Sequence, residues 1–499
     1  MEALLDSELK ENVRLLGDLL SEVIEADMGS DFVKKIVHIR SLAKQARSQQ
    51  QTTPIELIHE LNQLANDDIT PITRAFNQFL NLANIAEQYH DVVRSQQAAT
   101  KQQNQLNDIL QKLAQKLTPD KLLQRLSQLQ IELVLTAHPT EVTRRTLIQK
   151  YEIIFQVLNK LDSQLTPHER QLTLIKLKQV IAQIWYTDEI RQTRPTPEDE
   201  AKWGFAVIEN SLWQALPEFY RELDQTLKQQ NALPLPIDAK PFRFCSWMGG
   251  DRDGNPNVTA KVTKNVIYLG RWMAADLYLR DVQLLINDLS MQACNPPLAA
   301  VIGDVCDPYR CLLHQLRKRL QDTRSWAKDA LNNKTKTDQP PLYHVSSLME
   351  PLKLCYDSLL DCGMDIIANG QLLDTLRRVQ TFGLTLCPLD IRQESERHAQ
   401  VFTELTEYLE LGQYQQWSEP EKQQFLIREL QNKRPLLPEH WQPSDNVQEV
   451  LDTCKVIAEQ PQDCFASYVI SMASLPSDVL AVALLLKMCG RQIPIPIVP

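Results

Sequence analysis

Apolar residues recur every three to four positions along the first quarter of the chain, which is the spacing of an amphipathic helix. This pattern predicts a first helix around Leu5–Ile24 and further helices over 31–49, 55–64, 72–97 and 102–117. Glycine, which weakens helices, is scarce here, with Gly17 and Gly29 preceding a long stretch without any. The chain is therefore expected to be mostly helical.

Two later helices begin with recognisable capping sequences. Thr166-Pro167-His168-Glu169 combines an N-cap residue, a proline at the first helical position and the glutamate of a capping box. Thr196-Pro197-Glu198-Asp199 is a close variant, with aspartate in the glutamate position, and precedes a helix predicted over 201–230. Both segments predict long helices in the middle of the chain.

Five short apolar runs interrupt this helical background and are typical of buried strands. Strands that alternate with helices pair in parallel through crossover connections. A (β/α)8-type barrel wrapped by extra helices fits better than an open doubly wound sheet, because no Gly-x-Gly-x-x-Gly follows any of the strands. The five predicted strands are Ile131–Ala137, Phe242–Trp247, Leu384–Ile391, Ala466–Met472 and Ile493–Val498.

This pattern predicts two regions without a clear linker. Residues 1–130 form an amino-terminal helical region, and residues 131–499 form an incomplete barrel with large helical insertions. The last predicted strand coincides with the end of the chain, so the chain would carry about the first five strands of eight. The missing strands would leave an open edge and unburied apolar surface.

Composition narrows the class of protein. Asp and Glu number 63 against 53 Lys and Arg, which argues against a nucleic-acid partner. The ten cysteines form no Cys-x-x-Cys pair, so they are interpreted as small buried residues of a reducing compartment and not as a zinc site. No signal peptide or membrane span is recognised, so we expect a cytoplasmic protein.

Polar residues cluster where the first predicted strand ends. Proline after His138 ends the strand there, and in a parallel barrel the carboxyl end of a strand faces the catalytic mouth. A histidine at this place can transfer a proton near neutral pH. Arg144 and Arg145 follow, either as part of the site or as a solvated helix face. His138 is accordingly the first candidate catalytic residue, although a histidine that only satisfies its own loop is the alternative.

A glycine-rich loop, Ser246–Asn257, follows the second strand. Its glycines would allow backbone amides to line up toward an anion, and Arg252 lies between Asp251 and Asp253, which would orient it by ion pairing. A plain tight turn is the alternative. After the third strand, Asp390 and Arg392 point to the same side by strand alternation. They form either an oriented cation for carboxylate or phosphate or a structural ion pair.

At these residues the sequence resembles phosphoenolpyruvate carboxylase of the bacterial type. VLTAHPTEVTRR (Val134–Arg145), FCSWMGGDRDGNPNVT (Phe244–Thr259) and LDIRQESERH (Leu389–His398) match three blocks of the family. The similarity continues in TDEIRQTRPTPEDEAKWGF (Thr187–Phe205) and YVISMASLPSDVLAV (Tyr468–Val482) and thus covers nearly the whole chain. These motifs are long and specific.

The resemblance implies a homotetrameric enzyme that joins bicarbonate to phosphoenolpyruvate, giving oxaloacetate and phosphate through carboxyphosphate and an enolate. His138 would then act on the proton of carboxyphosphate. The substrate-binding candidates are Arg392, Trp247, Asp251 and Arg252, with Trp247 in a dry pocket wall.

The resemblance also implies an effector site and a metal. Arg144, Arg145 and Arg191 would bind an anionic activator. The family uses Mg²⁺ or Mn²⁺, whose ligands are expected beyond Pro499. The isolated chain is therefore predicted to be inactive. It would be either part of an active carboxylase or a catalytically inactive module for assembly or effector binding.

Overall fold

The computed structural model describes residues 2–48, 55–99, 105–136, 145–188, 195–253, 255–303, 305–334, 340–491 and 495–499. Its helices, in chain order, are α1 (Glu2–Met28), α2 (Ser30–Ser48), α3 (Ile55–Asn62), α4 (Asn66–Ala99), α5 (Gln105–Ala114), α6 (Pro119–Ser127), α7 (Arg145–Leu161), α8 (Pro167–Trp185), α9 (Pro197–Val207), α10 (Trp213–Gln229), α11 (Ala260–Asp288), α12 (Pro296–Ile302), α13 (Pro308–Leu331), α14 (Ser346–Asp361), α15 (Asp365–Ile367), α16 (Leu373–Phe382), α17 (Ser395–Tyr408), α18 (Glu419–Gln431), α19 (Asp445–Glu459) and α20 (Pro476–Met488). The strands are β1 (Ile131–Leu135), β2 (Phe242–Ser246), β3 (Leu389–Glu394), β4 (Phe465–Ser471) and β5 (Ile497–Val498). The prediction of a mostly helical chain is confirmed.

Both predicted capping boxes form. The Thr166 hydroxyl accepts a hydrogen bond from the backbone N–H of Glu169 at 3.3 Å, while the Glu169 carboxylate accepts one from the Thr166 N–H at 2.9 Å. Thr196 and Asp199 make the same reciprocal pair at the start of α9. Each cap satisfies amide groups that the first turn of a helix leaves unpaired, and such caps are typically worth about 1 kcal/mol.

The chain divides into two compact units. The first comprises residues 1–108 and 140–194, so α7 and α8 belong with the amino-terminal helices although the sequence assigns them to the barrel region. The physical reason is a shared core, in which Ile154 of α7 and Leu177 of α8 are fully buried in the same apolar cluster as Leu16 of α1. The helices of this unit are α1 to α4, α7 and α8.

The second unit, residues 109–139 and 195–499, contains a parallel sheet in the order β1-β2-β3-β4-β5. Parallel pairing is as predicted. A closed eight-stranded barrel is not confirmed: in the described part of the chain β1 and β5 each pair on one side only. The apolar side chains of β1 are also exposed, among them Leu133 at 47%.

The third strand lies further along the chain than predicted. Residues 384–388 form a turn in which Leu386 has a φ of +64° and Cys387 donates its N–H to the Thr385 carbonyl at 2.8 Å. The strand begins at Leu389 and continues to Glu394, so the predicted range of Leu384–Ile391 is wrong at both ends. The apolar run that suggested a strand is instead buried as a turn, and Arg392 lies within β3.

The helices of the second unit cover the sheet. α17 follows β3, α19 precedes β4 and α20 follows β4, and these three helices pack against one another. α11 and α13 form a long packed pair. A bilayer-spanning segment would need a long and almost uncharged apolar helix, and the helices of the described residues include none.

Candidate anion-binding site

The carboxyl ends of β1, β2 and β3 meet at one edge of the sheet. Leu135, the last residue of β1, is in register with Ser246 of β2, and its carbonyl accepts a hydrogen bond from the Trp247 N–H at 3.0 Å. Residues that leave these strands therefore emerge side by side, as expected for parallel strands.

Two glycines bring the turn after β2 against β3. Gly249 has a φ of +81°, a conformation that residues with a side chain rarely adopt. Gly250 packs so closely that a Cβ atom there would lie 2.1 Å from the carbonyl oxygen of Asp390. This close approach allows the Arg392 N–H to donate to the Gly250 carbonyl, and the Arg252 N–H to the Arg392 carbonyl, each at 3.0 Å. The glycines thus attach the loop to the strand.

Arg392 is held by two carboxylates of this loop. Its guanidinium lies 3.4 Å from the Asp251 carboxylate and 2.5 Å from that of Asp253. Its Cζ atom lies 5.4 Å from the ring centre of Trp247, within the range of a cation–π contact. The side chain is 28% exposed, so a ligand can reach it. A guanidinium has five N–H groups, and these contacts leave donors for a ligand.

Two predicted ion pairs are therefore wrong. Arg252 is not held between Asp251 and Asp253, because both carboxylates pair with Arg392. Asp390 does not pair with Arg392 within the described residues. The cause is the geometry of the extended backbone after β2, where Asp251 forms a parallel bridge with Arg392. Because side chains alternate, Asp251 and Asp253 lie on the same face of the sheet as Arg392, and Arg252 lies on the opposite face.

Asp390 instead positions the tryptophan. One of its carboxylate oxygens accepts a hydrogen bond from the Trp247 indole N–H at 3.2 Å, and the other accepts from the Ser467 hydroxyl. Burial raises the pKa of Asp390, and the bonds from Ser467 and Trp247 partly offset this. Sequence reasoning missed Ser467, which is opposite Asp390 in the register of β3 and β4. Its only signal was its place in a predicted strand.

Arg252 is buried elsewhere, with 7% of its surface exposed. Its guanidinium donates to the Gly250 carbonyl at 2.9 Å and to the Thr263 hydroxyl at 2.6 Å. Burial lowers the pKa of this guanidinium. The structure therefore brings together Trp247, Asp251 and Arg392 of the predicted substrate-binding residues, and separates Arg252 from them.

For the remaining predicted site residues the structure describes no side chain. His138, Arg144 and Arg191 lie outside the described residues, and the side chain of Arg145, at the start of α7, is likewise not described. In the part of the chain that is described, no group of three or more His, Cys, Asp or Glu side chains could hold a metal ion.

The fold and the site define a helix-rich α/β protein that presents an oriented guanidinium beside an aromatic ring at the carboxyl edge of a parallel sheet. Such an arrangement is suited to binding the oxygens of a small carboxylate or phosphate. The family model for phosphoenolpyruvate carboxylase matches residues 9–499. The chain belongs to the phosphoenolpyruvate carboxylase family.

Curated relatives support this assignment. Proteins named phosphoenolpyruvate carboxylase from Hahella chejuensis and Marinobacter nauticus are 53% and 52% identical to this chain, over 99% of its length. One from Pseudomonas aeruginosa is 52% identical over the same share. The chain spans about 57% of the length of these relatives.

Proposed function

We propose that this chain provides the phosphoenolpyruvate-binding arginine of an enzyme that carboxylates phosphoenolpyruvate with bicarbonate, giving oxaloacetate and inorganic phosphate. The observation that carries the proposal is the fixation of Arg392 by Asp251 and Asp253 beside Trp247. An arginine held in this way does not have to be ordered when the substrate binds, which favours affinity for carboxylate and phosphate oxygens.

The neighbouring residues suggest how the reaction is protected. The indole of Trp247, fixed by Asp390, provides an apolar wall next to the bound anion. Exclusion of water from that side would protect an enolate from protonation before it meets CO2. Arg252 is not part of this arrangement, because its side chain is buried on the other face of the sheet.

His138 remains the proposed proton acceptor for carboxyphosphate. The hydrogen bond between Trp247 and Leu135 supports a place for it near Arg392, since the chain leaves β1 beside Trp247, three residues before His138. Arg144, Arg145 and Arg191 remain proposed effector-binding residues, and the homotetramer remains a prediction.

The family's reaction implies a divalent metal, Mg²⁺ or Mn²⁺. The carboxylates near Arg392 do not fit a metal site, because Asp251 and Asp253 are used by the guanidinium and Asp390 by Trp247 and Ser467. No step through the metal is therefore assigned to this chain.

Binding and turnover test the proposal separately. Phosphoenolpyruvate should bind to the 499-residue chain, and Arg392→Gln should weaken it by at least about tenfold, the value of one charge-assisted hydrogen bond. Arg317→Gln, a half-buried arginine of α13, is the matched control. Equal affinity of the Arg392→Gln variant and the wild type in calorimetry would refute the binding role.

Turnover is measured by coupling oxaloacetate formation to malate dehydrogenase. The chain is expected to be inactive by itself and active when expressed with the part of the Hahella chejuensis protein that it does not match. His138→Asn should abolish the restored activity. An inactive combination in which both pieces are folded would favour the alternative of an assembly or effector-binding module.

A further inference from the structure

A second polar site lies on the opposite side of β3 from Trp247 and Arg392. It is a cavity of about 290 Å³ between the end of β3, the loop after β2 and the first turns of α17 and α19. This volume is near the lower end for small-molecule sites. Its lining includes Arg252, Asn255, Glu394, Arg397, Asn446 and Glu449.

Arg252 provides buried positive charge with an unused donor. Two of its nitrogens have protein partners, but its Nε is buried without a hydrogen-bond partner in the described part of the chain. A buried N–H group of a cation without an acceptor is costly, so such groups are rare unless a ligand or water fills the place.

A second guanidinium lines the same cavity. Arg397, in the first turn of α17, is half-buried and makes no hydrogen bond or ion pair with the residues that the structure describes. Arginine side chains pair readily with planar or tetrahedral oxyanions. Two guanidinium groups with unused donors thus line one cavity.

The ends of two helices add backbone donors. α17 and α19 both begin at this cavity, and neither N-cap residue, Glu394 or Ser444, makes a side-chain cap hydrogen bond. The first-turn amides of these helices of 14 and 15 residues are therefore not satisfied by a capping side chain. Helix N-termini of this kind are favourable for phosphate and other anions.

Two carboxylates also lie on the wall, and the charge of Glu449 acts on Arg252, so the preference for an anion rests on the unused N–H donors more than on net charge. Glu449 accepts the backbone N–H of Ala260 at 2.5 Å and thereby satisfies the start of α11. Glu394 is the N-cap residue of α17 and is half-exposed. Asn255 and Asn446 contribute neutral amide groups that can donate to an oxyanion.

We propose that this cavity binds a phosphate group, either inorganic phosphate or that of a small phosphate monoester, held by Arg252, Arg397 and the first turns of α17 and α19. The site is distinct from the Arg392 site, although the two share a loop. The Arg252 N–H donates to the Arg392 carbonyl at 3.0 Å, so an anion that fixes Arg252 also fixes the strand that carries Arg392.

Calorimetry with inorganic phosphate on the 499-residue chain tests the proposal. Arg397→Gln should weaken binding by at least about tenfold, the loss of a charge-assisted hydrogen bond. Asn446→Asp adds a negative charge at an exposed position on the mouth and should weaken it similarly without disturbing the fold. Arg317→Gln is the control and should bind as the wild type does.

Hydrogen exchange locates the ligand. Phosphate should slow amide exchange in the first turns of α17 and α19, and Arg392→Gln should leave this protection in place. The proposal is overturned if the wild type shows no binding at millimolar phosphate, if Arg397→Gln and Asn446→Asp bind normally, or if Arg392→Gln removes the protection. Methyl phosphate in parallel distinguishes the two sources: tighter binding than phosphate identifies a monoester, and weaker binding identifies the free ion. Weaker phosphoenolpyruvate binding in Arg392→Gln, with the phosphate protection of α17 and α19 unchanged, tests the proposed function independently.

Discussion

His398 makes the stability of the second unit depend on pH. It is fully buried in α17, where its Nε2 atom lies 2.8 Å from the Tyr468 hydroxyl oxygen and its Nδ1 atom has no partner within the described residues. Burial lowers the pKa of His398 from the ordinary 6.5 to about 3. The ring is therefore neutral in the folded protein throughout the range in which the same ring in the unfolded chain takes up a proton.

The sign follows from this difference. The unfolded chain binds the proton more tightly, so the free energy of unfolding is unaffected above pH 6.5 and decreases as the pH falls from 6.5 towards 3. At about 1.4 kcal/mol per pKa unit, the loss is about 2 kcal/mol at pH 5. It reaches about 4 kcal/mol at pH 3.

His398→Gln removes the titration and keeps a polar group facing Tyr468. We expect the variant to lose about 2 kcal/mol less than the wild type between pH 7 and pH 5, whatever its stability at pH 7. Urea unfolding followed by pulsed hydrogen exchange in α17 peptides reports on this unit alone. His314→Gln, at an exposed position of α13, is the control and should show the wild-type pH dependence. An identical pH dependence for His398→Gln and wild type would refute the reasoning.

Three further predictions concern packing, hydrogen bonding and thiol chemistry. Gly250→Ala should lower the free energy of unfolding in urea by about 3 kcal/mol, because its Cβ would lie 2.1 Å from the Asp390 carbonyl oxygen. The control is Gly370→Ala, whose Cβ would meet nothing within 4 Å and which should not cause this loss. An equal effect of both variants would contradict the packing argument. Ser467→Ala should lower the free energy of unfolding by about 1 kcal/mol in the same assay, because it loses the hydrogen bond to Asp390. The hydroxyl of Ser471 is buried without a partner in the described residues, so Ser471→Ala should cost less. Equal losses in the two variants would count against the Ser467–Asp390 bond. Iodoacetamide at pH 8 should alkylate exposed Cys306 well before the buried Cys245, Cys355 or Cys464. The reason is that burial raises the pKa of each of these three thiols to about 12. Peptide mass spectrometry measures the order of labelling, and early labelling of Cys355 would contradict its burial.

The features that could be predicted from the sequence are those determined locally. The capping boxes at Thr166 and Thr196 form as predicted, because a cap depends on four consecutive residues. Parallel pairing was also predictable, since successive strands are separated by helices long enough for a crossover. By contrast, the start of β3 could not be read from hydrophobicity, because the apolar residues 384–388 are buried as a turn just as a strand would be.

The partners of charged residues were less predictable, since they depend on how two strands lie beside each other. Arg252 stands between Asp251 and Asp253 in the sequence, but these carboxylates contact Arg392, about 140 positions away. Ser467 contacts Asp390 for the same reason, through the register of β3 and β4. The register of two strands cannot be read from a short stretch of sequence.

Trp247, Asp251 and Asp253 lie in the loop between β2 and α11, and Arg392 lies in β3, all within one compact unit. Each contact that orients the guanidinium is made by this chain. The orientation of Arg392 is therefore set by residues of this unit. The proposed binding of phosphoenolpyruvate can accordingly be tested on this unit separately from turnover.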